Sequence, residues 1–254
     1  MTSIPSTRDA VAKVPAITLG FWVVKILATT LGETAGDAVS MSMGLGYLAG
    51  SAIFFALFVI AVVAQIRAER FLPWLYWATI IASTTVGTTL ADYADRSLGI
   101  GYAGGSALLA GALAVSFFAW HRSLGSLDIA SVASPKSEFF YWLTIMFSQT
   151  LGTALGDWTA DDAGLGYLGG ALVFGGAIAL IALAAQFTRI SRTALFWAAF
   201  VLTRPLGAVV GDFLDKPLDH GGLALDRYAA TAVLVAAIAL LVWRLPQRPA
   251  TRAH

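Results

Sequence analysis

The chain has 254 residues, 58% of them hydrophobic and 12% charged, with a mean hydropathy of +0.76. A water-facing domain of this length carries about 25% charged residues, so the composition argues against a soluble fold and makes the lipid bilayer the expected solvent. A net charge of +1 argues against a nucleic-acid partner, and the lack of cysteine excludes disulfides, thiolate metal sites and thiol catalysis.

The short polar stretch Met1 to Pro15, with Arg8 and Lys13, leads into a long apolar run and reads as the approach to a first membrane helix, not as a cleaved signal. Eight apolar segments are predicted as helices at 16–37, 44–66, 73–93, 99–120, 138–157, 164–186, 194–213 and 223–243. Each has about 20 residues, the length that crosses a hydrocarbon core of ~30 Å. Backbone polar groups in lipid must be satisfied within the segment, which makes such runs helical. A soluble helical bundle would need polar faces, and the run from Leu172 to Ala185 has none.

The odd-numbered helices share landmarks. The first carries Trp22, Lys25, Thr29, Gly32, Glu33 and Asp37; the third Trp77, Thr84, Gly87, Thr88 and Asp92. The fifth carries Trp142, Gln149, Gly152, Thr153 and Asp157; the seventh Trp197, Arg204, Gly207 and Asp212. Tryptophans, glycines and aspartates all recur at intervals of 55, 65 and 55 residues, which defines a fourfold internal repeat. The expected fold is an all-α integral membrane protein, a single membrane domain over 1–254, with eight transmembrane helices in four tandem parallel hairpin repeats near 16–68, 71–123, 136–190 and 191–245. Four-residue spacing keeps Thr29, Glu33 and Asp37 on one helical face, as it does Thr84, Thr88 and Asp92, and Gln149, Thr153 and Asp157. These polar faces are expected to line a central axis.

The even-numbered helices are apolar and rich in small residues. Three follow a Gly-(Leu/Ile)-Gly-Tyr tetrad ending at Tyr47, Tyr102 and Tyr167; the fourth repeat has Asp219-His220-Gly221-Gly222 instead. The pairs Gly46/Gly50, Gly101/Gly105 and Gly166/Gly170 have the small-xxx-small spacing that permits close helix approach. Trp22 and its equivalents are expected in one interfacial aromatic belt and the three tyrosines in the other.

With two spans per repeat, all four hairpin loops share one face. The opposite face holds 11 Lys and Arg: Arg8, Lys13, Arg67, Arg70, Arg122, Lys136, Arg189, Arg192, Arg244, Arg248 and Arg252. The hairpin-loop face holds only Arg96, Lys216 and Arg227, and gathers 10 of the 15 acidic residues. The positive-inside rule then places both termini in the cytoplasm of a bacterial inner membrane, below an acidic outer mouth.

Three ionisable residues fall inside predicted helices: Lys25, Glu33 and Arg204. A charge at bilayer depth costs at least ~2.5–3.5 kcal/mol, so such residues face the interior and either mark a pathway or pair with one another, Glu33 with Arg204 or Lys25. The four repeat aspartates have two readings: helix-terminating turn residues, or a ring of carboxylates suited to hard divalent cations. Glu33, Asp37, Asp92, Asp157 and Asp212 are the candidate metal ligands. Lys25, Arg204, Thr84, Thr88, Gln149 and Thr153 complete the candidate ion pathway. In the fourth loop, the carboxylates of Asp212, Asp215 and Asp219 with the His220 imidazole are a donor set for a transition metal, but their spacing matches no ligand motif and a solvated loop is the preferred reading; His121 and His254 read as incidental. No enzyme signature is present, and no cofactor is expected beyond a divalent cation.

At its Gly-x-x-x-(Gly/Ala)-Asp units and Gly-(Leu/Ile)-Gly-Tyr tetrads the chain resembles a family of bacterial multi-pass proteins described as uncharacterised membrane-anchored proteins. A looser likeness exists to cation exporters with Glu-x-Gly-Asp motifs on paired helices; here Glu33-Thr34-Ala35-Gly36-Asp37 is one residue longer, and the later copies lack the glutamate. The resemblance implies a membrane location and is compatible with transport of a small cation. The expectation is a multi-pass transport protein for small cations, whose partners are the bilayer, a small ion or solute and, in a homo-oligomer, further copies of itself. The rival is a non-transporting scaffold or sensor partner.

Overall fold

The computed structural model describes residues 12–251, so Arg8, Arg252 and His254 of the readings above lie outside the described residues. Among the described residues there are eight α-helices: α1 (Leu19–Asp37), α2 (Gly46–Arg67), α3 (Pro73–Asp92), α4 (Tyr102–Leu124), α5 (Pro135–Asp157), α6 (Gly166–Phe187), α7 (Arg192–Asp215) and α8 (Arg227–Arg244). Among the described residues the only β-type pairing is an isolated bridge between Pro15 and Pro249.

Local chemistry sets the helix ends. Thr18, Ser134, Ser191 and Asp226 each accept a hydrogen bond from a first-turn amide, which satisfies one of the donors a helix start leaves free. Pro73 and Pro135 open their helices, where the missing N–H is not needed. At the other end, α1, α3 and α5 each run past their aspartate into a five-residue π-helical turn: Ala38–Ser42, Tyr93–Ser97 and Trp158–Asp162. The tetrad glycines then reverse the chain: Gly44, Gly46, Gly99, Gly101, Gly164 and Gly166 all have φ between 64° and 77°, a left-handed backbone that costs glycine little. The first glycine of each small-xxx-small pair therefore serves the turn, with open space around it, and only the second packs closely, Gly50 on Ser40, Gly105 on Asp95 and Gly170 on Val209.

The four odd-numbered helices form a closed ring: α1 packs on α3, α3 on α5, α5 on α7, and α7 back on α1. Each even-numbered helix packs on the first helix of the following repeat: α2 on α3, α4 on α5, α6 on α7, and α8 across the seam on α1. This corrects the expectation of self-contained hairpins. A π turn stands at this point in the first three repeats and a 3₁₀ turn, Leu218–His220, in the fourth, and in all four the packed pair straddles two sequence repeats.

Ring contacts are close because each odd helix presents its repeat glycine to a polar residue of the next. A methyl group at Gly32 would collide with Thr84, at Gly87 with Gln149, at Gly152 with Arg204 and at Gly207 with Thr29. The glycine of one repeat thus makes room for the aligned polar position of its neighbour, four times round.

At the connector end the ring is filled by aromatic side chains. Phe21 meets Trp77 at 5.5 Å between ring centroids, Tyr76 meets Trp142 at 5.7 Å, Tyr141 meets Trp197 at 5.9 Å, and Phe196 meets Trp22 at 5.8 Å. Trp77, Trp142 and Trp197 are buried. They form an internal collar and not the interfacial belt expected of them. Segments before α1 and after α8 lace over this end: Val14 O accepts from Ala250 N, Arg248 O from Ala16 N, and Lys13 Nζ reaches Glu138 at 2.6 Å.

Among the described residues five helices, α2, α4, α6, α7 and α8, are long and apolar enough to cross a membrane. The outer helices turn large apolar side chains outward, among them Leu48, Phe55, Ile60, Leu108, Leu172, Leu180 and Trp243. The polar stripes of α1, α3 and α5 lower their hydropathy, and those stripes are buried inside the ring.

Candidate functional site

Four-residue spacing on the odd helices stacks their buried side chains in layers along the ring axis. Above the aromatic collar comes a layer of Lys25, Ile80, Ile145 and Phe200, all fully buried. Then come Thr29, Thr84, Gln149 and Arg204, then Glu33, Thr88, Thr153 and Ala208, and at the far end Asp37, Asp92, Asp157 and Asp212. All of the candidate pathway residues thus lie inside the ring.

The centre of the stack is closed by Arg204. From α7 its Nη2, with two N–H bonds to share, lies 2.9 Å from Glu33 Oε2 of α1, 2.5 Å from Thr88 Oγ1 of α3 and 2.5 Å from Thr153 Oγ1 of α5. One guanidinium therefore touches the three other ring helices. Of the two pairings open for Glu33, the structure forms the one with Arg204. Thr84 lies against Gly32, and Gln149 packs on Gly87 with its Nε2 at 3.5 Å from Ser83 Oγ. These residues join helices to one another; they do not border an open channel.

At the acidic end the carboxylates are divided between two cations that the pathway reading omitted. Arg96 Nε lies 2.9 Å from Asp92 Oδ1, and its Nη2 3.7 Å from Asp157 Oδ2. Lys216 Nζ lies 2.5 Å from Asp37 Oδ2 and 2.9 Å from Asp212 Oδ1. Burial works against both charges, but the carboxylates of Asp212, Asp37 and Asp215 outweigh it at Lys216, and those of Asp92 and Asp157 at Arg96, so both bases are held above their ordinary range. The sequence signal was available: each base stands four residues after a repeat aspartate, where the other two repeats have Met41 and Asp161. Arg227 joins the same cluster, with Nε 2.7 Å from Asp215 Oδ2.

Glu33, Asp37 and Asp212 each offer an oxygen within 4.8 Å of the others, and all three are buried. Of the five candidate metal ligands, these three come together. Asp92 and Asp157 do not join them; they lie across the ring in the grip of Arg96. The chemistry of the trio is all-oxygen and anionic, the donor set of hard divalent cations. Tyr47 and Tyr102 stand half-buried at the rim, within electrostatic reach of Asp92 and Asp157 of the following repeats, and Tyr167 is buried near Asp212. All three stand beside this mouth. His220 and His121 are exposed and stand apart from the cluster.

A repeat family described as Repeat of Unknown Function (DUF347) matches residues 20–71, 75–126, 140–191 and 195–248. The chain belongs to this family. Each DUF347 match contains one ring helix, its terminal aspartate and the outer helix that follows. No curated protein and no solved structure matches the chain.

Proposed function

We propose that this DUF347 protein is a multi-pass transporter of small divalent cations, with eight membrane-spanning helices, both termini in the cytoplasm of a bacterial inner membrane, and no catalytic activity. The observation that carries this reading is the site shared by Glu33, Asp37 and Asp212, in which Lys216 Nζ contacts two of the three carboxylates. A tethered ammonium holds the place of a free cation. An arriving divalent ion displaces it, gains a second charge's worth of attraction, and draws Glu33 away from Arg204 below. Arg204 and the aromatic collar then form the two closures on the route to the connector face. The apolar outward faces of the even helices, and the ring helices screened by them, support the eight-span reading. The excess of Lys and Arg on the connector face supports this orientation.

Titration of purified protein with Mn²⁺ tests the site. Glu33→Gln and Asp37→Asn are expected to weaken binding at least ~10-fold, the scale of losing one charge-assisted ligand, and Lys216→Met to tighten it. Binding unaffected by all three substitutions would sink the proposal. A scaffold or sensor partner is the second reading, favoured by the way Arg204 knits all four ring helices together. It requires that wild-type protein move no Mn²⁺ into proteoliposomes and that Arg204 and Glu33 variants fail in folding alone.

A further inference from the structure

Lys25, on α1, is a buried base that neither the acidic mouth nor the Arg204 closure uses. It is fully buried, and its Nζ has no hydrogen-bond partner among the described residues. Its amine instead lies 4.2 Å from the centroid of the Phe200 ring, in a layer completed by Ile80 and Ile145, both fully buried. An ammonium brings three donors to a place that offers no acceptor, a costly arrangement for a group serving structure alone. Isoleucine or phenylalanine fills the same position in the other three repeats, so packing does not require an amine there.

The groups around it are few. One turn toward the mouth on α7 stands Arg204, whose charge bears on Lys25. One turn toward the connector face stand Tyr76 of α3 and Tyr141 of α5, hydroxyl to hydroxyl at 2.6 Å and both fully buried. On α1 itself the nearest acid is Glu33, two turns away and paired with Arg204. From α8 nothing titratable lies between Tyr228 and Arg244.

Resting on the transport reading above, we infer that Lys25 is a proton-binding site that exchanges one proton for each cation taken at the mouth, with the Tyr76–Tyr141 hydroxyl pair as its route to the connector face. When Glu33 turns to the incoming cation, Arg204 loses its carboxylate, and its charge bears unscreened on Lys25 one turn below. An N–H bond of the Lys25 ammonium then breaks, leaving the neutral amine. Lys25 Nζ, unpartnered among the described residues, swings one turn toward the connector face and gives the proton to one tyrosine hydroxyl. That hydroxyl gives its own proton to the other, and the second gives its proton to water. A proton needs no cavity, which suits a chamber walled by Ile80, Ile145 and Phe200.

The test counts protons released per Mn²⁺ bound, by titrating full-length protein in weakly buffered detergent with a pH indicator. Wild-type protein is expected to release about one proton more per Mn²⁺ than Lys25→Met. Lys25→Arg keeps the charge but cannot give up a proton, and is expected to show the same deficit while still binding Mn²⁺. Tyr76→Phe with Tyr141→Phe is expected to slow the release without changing its count. Equal proton release from wild type and both Lys25 variants, with Mn²⁺ binding intact, overturns this inference and leaves the cation site standing. Failure of wild-type protein to bind Mn²⁺ overturns both.

Discussion

Arg204 illustrates how a buried ion pair behaves in this molecule. Its guanidinium and the Glu33 carboxylate are both excluded from water, so each depends on the other. Removing one partner of such a pair costs about 3–5 kcal/mol, because the survivor is left as an uncompensated charge. Arg204→Met is therefore expected to lower the thermal unfolding temperature sharply, and adding Glu33→Gln to restore most of the loss. If the double variant is no more stable than the single one, the pair is not what closes the ring. Near-isosteric replacement at an exposed base such as Arg67 or Arg122 is expected to leave the unfolding temperature unchanged.

Among the elements, the contact between adjacent ring helices depends on four glycines. An added methyl at Gly87 meets the backbone of Gln149 at 2.9 Å, whereas one at Gly111 on α4 meets nothing within 4 Å. Gly87→Ala should destabilise by about 1–3 kcal/mol through overpacking, and Gly111→Ala, which only improves helix propensity, should be neutral or slightly stabilising. Paired unfolding curves check both. The helices themselves were legible in the sequence, because runs of apolar residues bounded by glycine and proline mark where lipid-length helices begin and end. Their pairing was not. A hairpin reading assumes that a short loop returns the chain alongside its own first helix, whereas the π turns after Asp37, Asp92 and Asp157 displace it by one position round the ring. No period in the sequence announces such a displacement.

The same distinction applies to the site. Recurrence identified the aspartates and the polar layers, since a fourfold fold must bring equivalent positions to one height. The pairing of Arg96 and Lys216 with the repeat aspartates, and the grouping of Glu33 with Asp37 and Asp212, were not legible because they break the repeat: two copies carry a base four residues past the aspartate and two do not. Departures from symmetry stand out only when the symmetric partners are seen facing one another across a common axis.

For the whole molecule, the decisive contact is the one that closes the circle. Thr231 of α8 donates to Thr34 of α1 at 3.1 Å, tying the last helix to the first. The chain has no cysteine of its own, so Thr34→Cys with Thr231→Cys supplies a clean reporter. Mild oxidation is expected to join them and to give a faster-migrating species on denaturing gels. No cross-link, beside ready cross-linking of a pair designed between α1 and α2, would mean that repeats pack as isolated hairpins.

The lacing of the segments flanking α1 and α8 has a consequence for chain connectivity. Pro15 and Pro249 sit side by side, with Val14 bonded to Ala250 and Ala16 to Arg248, so the described ends meet at the seam between the fourth repeat and the first. In a molecule whose every packed pair straddles two repeats, that seam has the same helix pairing as the others. Splicing the two ends through a short linker and opening the chain at the α4–α5 connector would yield a circular permutant with the same ring, the same acid mouth and a new order of synthesis.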